Sequence, residues 1–463
     1  MIVKAIFGPP GTGKTTRLLE ILEEKLKTYS PREIAYVSFT REGAYQGKYR
    51  AMAKFNCADE DFPFFRTLHS LAFREMNANP NMMMNKKHYK MFSDQMGMKF
   101  TGYYTEELRN NDDRYLFYNQ LHRNNPRIAQ QYLYDLDIRL LEFVSKQYKT
   151  FRKDFHLLDF TDLIEVFNKN NQSIPVRIAI IDEAQDLTTL QWEMVWIAFR
   201  DCEEVIFAGD DDQAIYEWSG ADVNAFLNLP AKMEILRTSY RLPEIIIEQA
   251  KKITALIENR VSKDYHGIDG KEGLFTRLAH IEELRGTLRT SNETWMFLSR
   301  NHWFLKEVEE FIRSLGLVYN KNGTPSVKKN HIKIINQFEQ ARKLRNVPPS
   351  IIPHLKEGFS FNTPWYDNLN WEEDEITYYR DLIKNKSDIN KCNIRINTIH
   401  SVKGAEADNV VVLTDVTRQV HVNIRNNPDS EYRVLYVGCT RSKKRLFLVE
   451  NYTRYAYERF YFI

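Results

Sequence analysis

The residues with the clearest capacity for chemistry are Gly8-Pro-Pro-Gly11-Thr12-Gly13-Lys14-Thr15-Thr16. An apolar stretch, Ile2 to Phe7, runs into this loop, and the stretch Arg17 to Lys27 after it reads as a helix. Strand, glycine-rich loop and helix in this order build a phosphate cradle, because glycines let successive backbone N–H groups turn toward one anion while the helix N-terminus adds positive potential. In such a loop Gly8, Gly11, Thr12, Gly13 and Thr16 surround the phosphates, Lys14 reaches the terminal ones and Thr15 offers its hydroxyl to a metal. The segment therefore predicts ATP and Mg2+ as the cofactors.

Such a metal needs an acidic partner, and Ile178-Ala-Ile-Ile-Asp182-Glu183-Ala-Gln185-Asp186 supplies one at the end of a continuous apolar strand. Asp182 is the expected second magnesium ligand. Glu183 beside it is expected to position and deprotonate the attacking water, so that two neighbouring carboxylates have separate tasks.

Further along, Gly209-Asp210-Asp211-Asp212-Gln213-Ala-Ile-Tyr216-Glu-Trp218-Ser219-Gly-Ala follows the acidic strand. Together with Asp-Glu-Ala-Gln-Asp, this resembles motifs II and III of the UvrD group of superfamily 1 DNA helicases. Other segments resemble that family's motifs in its order: Val37-Ser-Phe39-Thr40-Arg41, Thr67-Leu-His69-Ser70, Asp159-Phe160-Thr-Asp162, Ser239-Tyr240-Arg241, Thr398-Ile-His400-Ser-Val-Lys403-Gly404-Ala-Glu406 and Tyr436-Val-Gly438-Cys-Thr440-Arg441. The resemblance implies an ATP-dependent 3′ to 5′ helicase or translocase, with single-stranded DNA and tailed duplex DNA as partners. It implies that Arg241 and Arg441 reach the γ-phosphate in the manner of arginine fingers, that Gln213 senses that phosphate and that Glu406 touches the ribose. Phe39, Tyr216 and Trp218 are implied to stack on bases, with Thr40, Arg41, His69 and His400 as further nucleic-acid contacts.

Four departures stand out. The P-loop begins within ten residues of Met1, leaving no upstream glutamine motif to read adenine, so GTP and pyrimidine triphosphates are expected to be hydrolysed within about tenfold of ATP. Ser219 stands where the family carries a DNA-contacting arginine, Ser239 where it carries asparagine, and Ala405 and Ala407 where it carries larger apolar residues.

The elements that must position these groups follow from the intervals between them. The expected fold is α/β, with two RecA-like doubly wound parallel-sheet lobes, 1A (1–69 and 161–235) and 2A (236–329 and 391–463). Residues 70–160, with Leu133, Leu136, Leu140 and Phe143 at helical spacing, read as the helical insertion 1B. Residues 330–390, rich in proline and tryptophan, read as a short insertion 2B.

Composition excludes several other classes. Of 463 residues, 43% are hydrophobic and 27% charged, the balance of a folded chain rather than a disordered one. No apolar run approaches the ~20 residues of a membrane-spanning helix, so no membrane is expected and the cytoplasm is the expected location. The net charge of +3 is too small to signal nucleic-acid binding by itself. Cys57, Cys202, Cys392 and Cys439 form no CxxC pair that would suggest zinc.

Overall fold

Apolar runs bounded by Gly, Pro or acidic turns are the mark of a parallel sheet covered on both faces. The computed structural model of the protein describes residues 1–38, 41–55, 58–104, 110–450 and 452–457. In it, these runs pair as β1 (Ile2–Phe7), β2 (Ile34–Ser38), β3 (Phe65–Arg66), β4 (Ile178–Asp182), β5 (Glu204–Gly209) and β6 (Lys232–Ile235). The order is β3-β2-β4-β5-β1-β6, and every pairing is parallel. Alternate residues feed two cores. Phe7, Val37, Ile181 and Phe207 pack on one face, Ile6, Tyr36, Ile180 and Ile206 on the other, as the two-residue period of a strand requires. Phe7 lies opposite Gly209 and Ser38 opposite Asp182, so the loops that leave β1, β4 and β5 emerge from one edge of the sheet. That carboxyl edge is where open α/β sheets bind ligands.

Between β3 and β4 the chain is built of helices, among them Leu68–Glu75, Lys86–Met96, Asp113–Asn124, Ile138–Asp154 and Phe160–Asn170. Met84, Phe92, Phe100, Leu116, Val144, Tyr148 and Phe151 give much of this segment a core of its own. Of the four residues at helical spacing, Leu133, Leu136 and Leu140 pack against this core and Phe143 does not. Leu133 lies in a 3₁₀ turn, Gln130–Asp135, and Phe143 is 52% exposed. Asp137 caps the following helix by accepting from the Arg139 and Leu140 N–H groups at 2.9 and 3.2 Å. That cap restarts the helical register, and Leu141, Val144, Tyr148 and Phe151 become the buried face.

The chain divides into two compact units, Met1–Tyr240 with Asn259–His266, and Arg241–Glu258 with Gly267–Ile463. The second contains a seven-stranded sheet in the order Thr324–Pro325, Tyr319–Lys321, Ile394–Thr398, Trp295–Ser299, Ala407–Leu413, Ser442–Val449, Leu274–Leu278. Its pairings are parallel apart from the short hairpin strand Thr324–Pro325. Residues 330–390 have no separate core: Ile334, Phe338, Trp365, Tyr379 and Leu382 pack into the cluster that holds Trp295, Phe297 and Phe447 of the sheet. The whole is a mixed α/β fold with parallel sheets and many helices. Among the described residues no helix is long and apolar enough to cross a membrane.

Candidate nucleotide and nucleic-acid site

The P-loop leaves β1 at Phe7 and is tied to the end of β5 by the Gly8 N–H, which donates to the Gly209 carbonyl at 2.9 Å. Gly11 and Gly13 adopt positive φ, +72° and +80°, a region that glycine enters without the Cβ clash of other residues. Thr12 closes the turn by donating its hydroxyl to the Pro9 carbonyl at 2.8 Å. The helix starts at Lys14, three residues before the expected Arg17, and runs to Lys25. Left-handed Gly13 serves as its cap, so Lys14, Thr15 and Thr16 form the first turn, which carries no acidic residue. That leaves the positive end of the helix dipole open to an anion. A Cβ on Gly8 would lie 3.0 Å from Lys14 Cβ, so the bare glycine lets the lysine stem cross the loop.

Lys14 Nζ donates to Glu183 Oε1 at 2.8 Å. Burial disfavours its charge, but Glu183, Asp182 and Asp210 more than offset that and hold the ammonium above the usual lysine range. The Asp182 carboxyl is pushed up to about 6, chiefly by burial and further by Glu183, against the opposing pull of Lys14 and of the Tyr36 hydroxyl, which donates to it at 3.0 Å. A carboxylate so poorly compensated calls for more positive charge. Asp182 and the half-buried Thr15 form an all-oxygen donor set that fits Mg2+, which keeps waters and phosphate oxygens and needs only one or two protein ligands. Among the described residues no group of three or more His, Cys, Asp or Glu could hold a metal by itself.

Glu183 has φ +56°, a strained backbone for a residue with a Cβ and of the kind that concentrates at functional sites. Its other oxygen accepts from Gln185 Nε2 at 2.6 Å, and Gln185 Oε1 accepts from the Asp210 N–H at 3.1 Å. Gln213 Nε2 in turn donates to Asp210 Oδ2 at 2.7 Å. An unbroken hydrogen-bonded chain thus links Lys14, Glu183, Gln185, Asp210 and Gln213. A Cβ on Gly209 would meet Gln185 Oε1 at 2.3 Å, which makes glycine the residue this chain requires there. Gln185 is fully buried and went unassigned in the sequence; its place between two acidic residues of an apolar strand end was the available signal.

Lys263, 5% exposed, was also missed. Its ammonium is 3.2 Å from Asp210 and 2.8 Å from Asp212, and it also pairs with Asp211. Arg260 grips Asp212 through two bonds of 2.8 and 2.7 Å. Ser239, where asparagine was expected, donates its hydroxyl to the Pro10 carbonyl at 2.7 Å, and the Tyr240 N–H donates to the Gly11 carbonyl at 2.8 Å. The Tyr240 ring, 63% exposed, lies 3.8 Å from where a Gly13 Cβ would stand. It is an aromatic surface beside the phosphate loop that motif reading left without a role.

In the second unit Glu406 forms ion pairs with Arg241, whose Nε lies 2.7 Å away, and with Lys443, whose Nζ lies 2.5 Å away. Burial opposes its charge, yet Lys443 and Arg241 hold its carboxyl below the usual range. The arginine expected at the γ-phosphate and the glutamate expected at the ribose are therefore paired with one another. Arg441 is 1% exposed, its Nε donating to the Val437 carbonyl at 2.9 Å. His400 opens the 3₁₀ turn His400–Val402 and is half-buried.

Of the expected nucleic-acid contacts, Phe39 and Thr40 lie outside the described residues, and Arg41 is the first residue of the helix Arg41–Phe55. His69 sits edge-on to Phe160, ring centroids 5.7 Å apart. Burial pushes its imidazole down to about 4, so at neutral pH it is an N–H donor rather than a cation. Phe160 is 55% exposed at the start of its helix, an aromatic face that sequence reading passed over. Tyr216 and Trp218 are half-buried, and Trp218 stacks on Phe117 at 6.2 Å.

The comparisons with known proteins bear on the same residues. The UvrD/REP helicase N-terminal domain family matches residues 4–234, and the UvrD-like helicase C-terminal domain family matches residues 393–449. Over 281 residues the chain is 23% identical to the ATP-dependent DNA helicase Rep of Buchnera aphidicola subsp. Baizongia pistaciae, covering 55% of this chain and 41% of that protein. It is 22% identical over 356 residues to the ATP-dependent DNA helicase PcrA of Leuconostoc citreum, covering 69% and 47%, and 25% identical over 313 residues to Rep of Escherichia coli K12, covering 62% and 45%. The matches span less than half the length of these relatives. Matched by both the N-terminal and the C-terminal domain of one helicase family, in that order, the chain belongs to the UvrD-like helicases.

Proposed function

We propose that this protein is an ATP-driven motor that moves 3′ to 5′ along single-stranded DNA and separates tailed duplexes. The observation that carries the reading is the hydrogen-bonded chain from Lys14 through Glu183, Gln185 and Asp210 to Gln213. It joins the phosphate loop to the segment bearing Tyr216 and Trp218, so a change at the γ-phosphate has a short path to the strand-binding side. In this reading residues 1–69 and 161–235 form RecA-like lobe 1A with insertion 1B at 70–160, and 236–329 with 391–463 form lobe 2A with a short 2B at 330–390.

Gly8, Gly11, Thr12, Gly13 and Thr16 wrap the phosphates, and Lys14 exchanges its bond to Glu183 for the terminal phosphates. Glu183, released from the lysine, accepts the proton of the attacking water. Thr15 and Asp182 would hold Mg2+, which when bound neutralises phosphate charge. Tyr240 covers the nucleoside beside Gly13, a stacking contact that every base can make, in keeping with turnover of other triphosphates within about tenfold of ATP. Arg241 and Arg441 add the positive charge that such transition states require, and Arg241 must first leave Glu406, which is then free for the ribose. On the strand side Trp218, Tyr216 and Phe160 offer aromatic faces, His69 a neutral donor, and Phe39, Thr40, Arg41 and His400 the remaining contacts.

Strand displacement with 3′-tailed and 5′-tailed duplexes, with and without ATP, tests the reading. Opening of the 3′-tailed substrate alone, in the presence of ATP alone, is expected. Opening of only the 5′-tailed substrate overturns the polarity, and absence of DNA-stimulated hydrolysis overturns the motor.

A further inference from the structure

The three carboxylates that follow β5 are met by one short stretch of chain. Asn259–His266 belongs to the first unit, although the residues before it, Arg241–Glu258, and those from Gly267 on belong to the second. From this stretch Arg260 grips Asp212 through two bonds of 2.8 and 2.7 Å, the Val261 N–H donates to Asp211 at 2.9 Å, and the Lys263 ammonium pairs with Asp210, Asp211 and Asp212. At its end the His266 N–H donates to the Arg237 carbonyl at 2.8 Å. Just beyond Arg237, Ser239 and Tyr240 bond the Pro10 and Gly11 carbonyls. The stretch is a strap, fastened both to the acidic turn and to the segment that clasps the phosphate loop.

Neutralising buried carboxylates requires positive charge but no particular direction. The strap supplies direction as well. Arg260 and the Val261 N–H give Asp212 and Asp211 partners of their own, and among the described residues Lys263 is the cation paired with Asp210. Asp210 is fully buried, and its two oxygens are used differently. Oδ1 accepts from the Asp212 N–H at 3.3 Å and lies 3.2 Å from the Lys263 ammonium, whereas Oδ2 accepts from Gln213 Nε2 at 2.7 Å. A bond with a charged donor is roughly twice as strong as one between neutral groups, so the lysine has the firmest hold on this carboxylate. The contact that fixes Asp210 is therefore the one that aims Gln213. Burial opposes the charge of Lys263, but Asp210, Asp212 and Asp211 more than offset that and hold the ammonium above the usual lysine range.

We propose that Lys263 is a positioning residue for ATP hydrolysis: acting through Asp210, it sets the Gln213 amide in the orientation from which it meets the γ-phosphate. The strap then ties the aim of that amide to the same stretch of chain that clasps the phosphate loop. The inference rests on the motor reading above and on the sensor role that the family resemblance implies for Gln213.

A double-variant cycle tests it. Turnover of ATP under saturating single-stranded DNA is measured for wild type, Lys263→Met, Gln213→Ala and the combined variant, with ADP affinity alongside, at a temperature at which circular dichroism shows each folded. Lys263→Met is expected to lower kcat by about 10- to 100-fold, the cost of displacing a reacting group on the order of 1 Å, while ADP, which has no γ-phosphate, binds as it does to wild type. In the combined variant the lysine change is expected to cost nothing beyond Gln213→Ala, because residues that act as one unit are not additive. Where Lys263→Met does not fold, Arg260→Met takes its place in the cycle with the same expectation, since it leaves Asp212 to Lys263 and draws the ammonium away from Asp210. Losses in kcat that multiply in the combined variant, or an ADP affinity that falls with them, mark a merely structural lysine and overturn the inference, as does an unchanged kcat. A wild-type protein without DNA-stimulated hydrolysis overturns the motor reading instead.

Discussion

The ammonium of Lys263 lies 2.8 Å from the carboxylate of Asp212, and neither side chain has more than 1% of its surface exposed. Asp210 and Asp211 share the same cation. Three consecutive carboxylates buried at the end of a parallel strand would repel one another strongly without it, since the desolvation of each charge must be met by a partner. Lys263→Met is therefore expected to destabilise the protein by about 3 to 5 kcal/mol, the range for leaving buried charges unpaired. Denaturant unfolding of wild type and variant measures this, and a loss under 1 kcal/mol would show that the cluster is not held by the lysine.

Lys14→Ala and Glu183→Gln are each expected to lower ATP turnover by at least about 10² to 10⁴-fold, the usual weight of a positioned proton acceptor or charge. Neither side chain belongs to a hydrophobic core, so circular dichroism is expected to show the fold retained in both variants. DNA-stimulated hydrolysis retained in both variants would remove the assignment of this loop as the catalytic site.

Gln185→Met replaces a buried amide that bridges Glu183 and Asp210 with a side chain of similar length that cannot bridge them. The expected result is a kcat reduced by about tenfold or more, KM for ATP nearly unchanged, and weaker stimulation by single-stranded DNA. An equal fall in stimulated and unstimulated rates would mean that the bridge supports the water-activating glutamate but carries no signal from the strand.

His69 supplies a pH prediction. Its folded-state value of about 4 lies below the ordinary histidine range because burial disfavours the cation. The fold therefore prefers the neutral ring, and this contribution is present in full above about pH 6.5 and is lost as the pH falls from there toward 4. Lowering the pH from 7 to 4.5 is expected to remove about 2 to 3 kcal/mol more from wild type than from His69→Gln. Parallel pH profiles of unfolding for the two proteins would exclude it.

Sequence legibility followed the range of the interaction. The P-loop and the acidic end of β4 could be read because each is a local pattern, an apolar strand followed at once by the residues that use its end. The first residue of the P-loop helix was misplaced by three positions because Lys14, Thr15 and Thr16 look like loop residues until left-handed Gly13 is seen to cap them. Of the residues at helical spacing, Leu133, Leu136 and Leu140 do pack against the helical core, and Phe143 does not, because the Asp137 cap resets the register and periodicity carried beyond it drifts off the buried face. Lys263 was invisible because its partners lie some fifty residues earlier and nothing local distinguishes it from a solvated lysine. The pairing of Arg241 with Glu406 was hidden for the same reason: both were named for their expected contacts with the nucleotide, and their contact with each other depends on the fold.

The segment Asn259–His266 belongs to the first unit although the chain has by then already entered the second at Arg241. A fragment ending at Tyr240 would thus contain every strand of the first sheet and the complete phosphate loop, yet lack the only lysine that neutralises Asp210, Asp211 and Asp212 among the described residues. The first unit is not a contiguous gene segment. Any truncation, split-protein design or domain transplant that treats it as one deletes a buried counter-ion, and the shortest stretch that retains the unit whole runs through His266.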